Sequence, residues 1–156
     1  MAIDFVHYHQ TDLALHIWSG NFNLKDYISA TRAYMLAPAA FEILDIRRLN
    51  LDSIGSMDLY KLASYLRSSY ESDRHVPGKT AVVYHEDIPQ IYCSSQRLFH
   101  NFSIWVREHK LPRAFSLFSS MADAITWLGN SKIRSLQVDT LMLEIVNDSP
   151  DQVLNA

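Results

Sequence analysis

Cysteine occurs once, at Cys93, so no internal disulfide can form and the fold has to rest on its core. A lone thiol is the usage of a reducing compartment, and a cytoplasmic location is the expectation. Only four glycines occur in 156 residues. That leaves no room for a glycine-rich loop to cradle a phosphate, and G-x-S-x-G, H-E-x-x-H and C-x-x-C are all absent. No apolar run approaches the ~20 residues that a membrane-spanning helix requires. The opening MAIDFVHYHQ lacks the basic start and apolar stretch of a signal peptide. Basic residues are scattered: Arg47-Arg48 is the only adjacent pair, and the net charge is −3. Nucleic acid and membrane are therefore not expected as partners.

What the chain does have is apolar bulk, 48% of its residues, enough for one domain with a proper core. Ile3 to His9 and Leu13 to Trp18 alternate like the arms of a hairpin, joined by Gln10-Thr11-Asp12. Asn23, with Asp26 three residues on, caps a helix whose apolar positions are Leu24, Tyr27, Ile28, Thr31 and Met35. Pro38 ends it. Phe41 to Ile46 reads as a buried strand, and Leu59, Leu62, Ala63, Leu66 and Tyr70 form the face of a second helix with Ser56 as its cap. Thr80 to Tyr84 is a short apolar run of the kind covered on both faces. A third helix runs from Asp87 to about His109. Ala114 to Phe118 is the next strand. Ser120 and Asp123 make a capping box for MADAITWLG, which stops at Gly129. Strands alternating with helices predict a single α/β domain, a mixed, mostly parallel sheet flanked by about four helices. That domain spans 1–130. Residues 131–156 form a C-terminal extension, read as a strand around Leu136 to Ile145 followed by a disordered end.

The chain is organised around Phe41 to Leu66. Its loop, Asn50-Leu51-Asp52-Ser53-Ile54-Gly55-Ser56, carries hydroxyls, a carboxylate and a glycine at the carboxyl end of a strand, where open α/β sheets bind ligands and partners. A hydroxyl at a helix N-terminus suits an added phosphate, and it is equally an ordinary cap. Asp45 and Asp52 have no reactive group beside them, and Asp45 suits an Asx-type bond that fixes the following loop. His7 and His9 share a strand face and could meet His16 across the hairpin. No further ligand completes a metal set, so the histidines are expected to face solvent. Cys93 has no activating base and reads as inert. Tyr92, Phe99, Phe102 and Trp105 stripe the third helix, either as core or as the lining of an apolar pocket. No catalytic residue, metal or cofactor is expected.

Ile43-Leu44-Asp45-Ile46 followed by Leu51-Asp52-Ser53-Ile54-Gly55 resembles the strand and loop of STAS domains (sulfate transporter and anti-sigma factor antagonist). Arg97-Leu98-Phe99 and AFSLFSSMADAITWLG (114–129) are similar to segments of a bacterial SpoIIAA-like, STAS-related group of stand-alone proteins. The likeness covers roughly residues 12 to 129. It implies a non-enzymatic domain that docks a protein partner through the loop at 45–58, with Asp52, Ser53, Gly55 and Ser56 as contact or phosphoacceptor candidates. Ser53 stands at the first serine of the family loop and Ile54 replaces the second, the usual phosphoacceptor. Ser56 is a substitute hydroxyl two residues on. The alternative function is a carrier or sensor of a small apolar ligand, as in SEC14-type domains, held between the 88–109 helix and the sheet. The extension beyond 130 is expected to pair with a sheet edge and to support a homodimer.

Overall fold

The hairpin forms as its alternation predicts. In the computed structural model, which describes residues 1–70, 78–85, 102, 104–107, 111 and 113–129, β1 (Ala2–Tyr8) lies antiparallel to β2 (Leu13–Asn21). Asp12, at φ 51°, takes the left-handed conformation that closes the turn, one that aspartate tolerates better than most residues. From β2 onward every pairing is parallel: β2 with β3 (Phe41–Asn50), β3 with β4 (Gly78–Val83), and β4 with β5 (Arg113–Phe118). The order across the sheet is β1-β2-β3-β4-β5.

Because spatial order follows chain order and parallel crossovers keep one hand, the connecting helices fall on one face of the sheet. These are α1 (Leu24–Thr31), α2 (Ser56–Tyr70) and α3, seen at residues 102 and 104–107. They enclose a core that includes Trp18, Tyr27, Ile46, Leu62, Val82 and Phe102. The last helix, α4 (Met121–Leu128), has no further strand to reach among the described residues and folds onto the opposite face. There Ala124, Ile125 and Leu128 meet Leu15, Ile43 and Val83. Successive residues of β2 serve the two cores alternately, which is why Leu13 to Trp18 is buried throughout. Among the described residues the domain is thus mixed α/β, with a five-stranded, mostly parallel sheet and four helices.

Local signals explain most boundaries. Asn23 Oδ1 accepts the N–H groups of Lys25 and Asp26 at the start of α1. Ser120 Oγ accepts that of Asp123, and Gly129 closes α4 at φ 76°. Lys79 Nζ donates to the carbonyls of Trp127 and Leu128 and lies 5.1 Å from the centre of the Trp127 ring, tying that helix end to β4.

The structure corrects three details. First, Gly55, not Ser56, caps α2: Ser56 is its first helical residue, and the Asp58 carboxylate accepts the Gly55 N–H from three positions on. This is the returning half of a capping box, and the carboxylate reaches the free N–H with no serine at the cap. Second, β3 continues to Asn50, so Asp45 lies within the strand rather than at its end. Its Asx-type bond to the Arg47 N–H does form, opposite an irregularity of register between Ile17 and Ser19. Third, His16 does not face solvent; it is 2% exposed. Tyr92, Cys93, Phe99, most of the expected third helix and the extension at 131–156 lie outside the described residues. Among the described residues no helix is long and apolar enough to cross a membrane.

Candidate functional site

The carboxyl ends of β2 and β3 carry the site that the sequence singles out. They are joined side chain to side chain, Asn50 Nδ2 donating to Asn21 Oδ1 at 2.8 Å. The chain then makes one 3-10 turn, Leu51–Ser53, in which Asn50 Oδ1 accepts the Asp52 N–H. Ser53 Oγ accepts the Phe22 N–H at 2.7 Å and donates to the Asn50 carbonyl, so its hydroxyl is committed to holding the turn against β2. Ile54 drops into the core at 5% exposure, which explains why an apolar residue occupies this position. Asp52, Gly55 and Ser56 remain exposed. The loop is therefore a rigid rim, pinned from below by Ser53 and Ile54 and closed by Asp58.

The first turn of α2 extends this rim with two apolar side chains that the sequence reading did not single out. Met57 is 62% exposed and Tyr60 47%, and Tyr60 meets the half-buried Trp105 ring edge-on at 6.0 Å. Their signal was present in the sequence: neither falls on the Leu59–Leu62–Leu66 stripe, so an apolar residue there had to face outward. Removing the Ser53 hydroxyl (Ser53→Ala) strands the Phe22 N–H and should cost about 1–3 kcal/mol. Ser56→Asp, at an exposed helix start, should instead be neutral to stabilising by about 0.3–1 kcal/mol. Urea denaturation of both variants checks the contrast.

Of the aromatic stripe, Phe102 is core, 4% exposed and edge-on to Phe115 at 5.8 Å. Trp105 is the half-buried partner of Tyr60. The structure does not bring Asp45 and Asp52 into a shared acid–base arrangement. Asp45 is buried and its two oxygens accept from Arg47 Nε and Nη2, while Asp52 is exposed. No group of three metal-ligating side chains occurs among the described residues. The His7 and His9 rings lie against each other at 4.2 Å, tilted by 40°.

Sequence reasoning missed a second constellation, buried between the sheet and the helices. Glu42 on β3 is its centre. Oε1 accepts from the hydroxyls of Tyr34 and Tyr70; Oε2 accepts from Thr80 Oγ1 at 2.7 Å and pairs with Arg113 Nη2 at 3.4 Å. Arg113 also donates to Thr80 Oγ1 and to the carbonyls of Ala40 and Lys79. Gly78 permits this approach, because a Cβ there would stand 2.8 Å from the guanidinium carbon and 2.5 Å from the Ala40 carbonyl. Burial first, then the Glu42 charge, holds the Tyr34 and Tyr70 hydroxyls protonated well above the ordinary tyrosine range. Beside them His16 has no hydrogen-bond partner on either ring nitrogen among the described residues. It lines a cavity of about 10 Å³ with Tyr34, Glu42 and Tyr70, space for no more than a single water. Every other polar group of this cluster named here is satisfied within the protein, which is the arrangement of a structural tie across β3, β4 and β5.

No family model, no curated protein and no solved structure matches this chain.

Proposed function

We propose that the chain is a non-catalytic regulatory or protein-interaction domain, STAS-related in kind, that docks a partner through the loop at 45–58, with the exposed residues of its rim from Asp52 to Met57 and the neighbouring Tyr60 as the contact face. The observation that carries this reading is the exposure of Met57 and Tyr60 beside Asp52, Gly55 and Ser56, on a loop that internal bonds hold rigid. Exposed apolar side chains rimmed by polar ones are a usual feature of contact surfaces. A preformed loop also avoids much of the ordering entropy that binding otherwise costs. The likeness of Ile43 to Gly55 to the STAS strand and loop supports the same surface. Homodimerisation through residues 131–156 belongs to this proposal and is checked by light scattering of the full chain against one ending at Asn130.

Met57→Asp and Ser56→Asp test the docking surface. Both sites are exposed, so Met57→Asp should stay within about 0.5 kcal/mol of the parent, and Ser56→Asp should keep the neutral-to-stabilising effect given above. Partner recovered from native cells by affinity capture and quantified by mass spectrometry should fall at least tenfold with Met57→Asp. Recovery unchanged by both substitutions would remove this surface from the account.

A further inference from the structure

We propose that His16 is an acid-responsive latch beneath β1: its imidazole can take up a proton only when β1, with Phe5, lifts from the sheet, so acidification opens the amino-terminal edge strand. His16 on β2 is the register partner of Phe5 on β1, and the two rings lie 4.5 Å apart. Phe5 is 40% exposed and forms the thin outer wall of the histidine's surroundings, with the Tyr34 ring 4.8 Å from the imidazole on another side. The inner wall is the packed core.

The groups that act on His16 leave a proton nowhere to be held. Glu42 on β3 would favour the imidazolium, but its oxygens already accept from Arg113, Thr80 and the two tyrosines. Arg113 on β5 and His7 on β1 oppose it. Tyr27 on α1, Tyr34 before β3 and Tyr70 on α2, which line the same cavity, are neutral. Burial, the largest cause, outweighs Glu42 and, with Arg113 and His7, pulls the His16 pKa down to about 4. Once exposed, the imidazole returns to the ordinary value near 6.5.

β1 is the element that yields. Among the described residues it is an outer strand paired only with β2, and none of its residues is fully buried. Local opening of such an edge costs less free energy than global unfolding. Lifting α1 instead would strip Tyr27, 4% exposed, from the core beside Trp18.

Hydrogen exchange of the full chain between pH 7 and pH 4.5, with rates corrected for intrinsic chemistry, tests the latch. The opening equilibrium of the β1 amides should rise about tenfold per pH unit below 6.5, with β1 less protected than β3 throughout. In His16→Phe the β1 opening should no longer depend on pH. A flat β1 profile in the parent, an undiminished slope in His16→Phe, or β1 amides protected as strongly as those of β3 would each overturn the proposal. Should the variant not fold, an NMR titration of His16 in the parent chain decides. A folded pKa well below 6 supports the latch and a value at or above 6.5 overturns it.

Discussion

Arg113→Met should lower the stability of the domain by about 3–5 kcal/mol, a large part of a typical total. The guanidinium and the Glu42 carboxylate are both almost completely buried, at 2% and 4% side-chain exposure. Methionine preserves much of the arginine's volume, so the loss comes chiefly from a buried carboxylate left without its counter-charge. Adding Glu42→Gln removes that charge and keeps one acceptor, the amide oxygen, for the Tyr34 hydroxyl; the amide nitrogen in place of Oε2 can donate to Thr80 Oγ1, which no longer receives the Arg113 N–H. The double variant should therefore be more stable than Arg113→Met alone, and the two losses should be strongly non-additive in urea denaturation. Losses that simply add would mean the pair does not act as a unit.

Acid should weaken the whole fold through His16. Its folded pKa, about 4, lies below the ordinary value of 6.5, so between those limits the unfolded chain binds a proton that the folded chain does not. Stability therefore rises with pH across this window: it is complete above about pH 6.5 and lost as pH falls toward 4. The shift corresponds to about 3 kcal/mol at roughly 1.4 kcal/mol per unit. Urea denaturation at pH 7, 6, 5 and 4.5 should show the decline, and His16→Phe should remove most of it. Unchanged stability down to pH 4.5 would show that His16 is not held neutral by burial.

Local chemistry made much of this fold legible. The caps at Asn23 and Ser120, the stop at Gly129 and the alternation of Ile3 to Trp18 are each decided by residues a few positions apart, and each forms as read. Gly55 was harder to place, because the cap depends on a carboxylate reaching backward from Asp58 rather than on the hydroxyl beside it. The buried polar cluster was not legible at all. Glu42, Thr80 and Arg113 are separated by tens of residues, and only the side-by-side pairing of β3, β4 and β5 brings them together. One cue was available: charged residues, Glu42 and Arg113, at the starts of strands where the residues that follow directly are largely apolar. The same holds for His16, whose alternation position on β2 becomes interior only once α1 and the Tyr34 turn cover that face. For the proposed docking surface, the loop was legible from its glycine and hydroxyls. Met57 and Tyr60 were overlooked because apolar residues on a helix are read first as core.

The most direct test of the docking claim is site-specific photo-crosslinking in native cells, with the photoreactive residue placed at position 57 in one chain and at position 122, exposed on α4 across the sheet, in another. The account predicts a discrete adduct of one protein partner from position 57, lost when Ser56→Asp is added, and none from position 122. No adduct from position 57, or the same adduct from both positions, would contradict it.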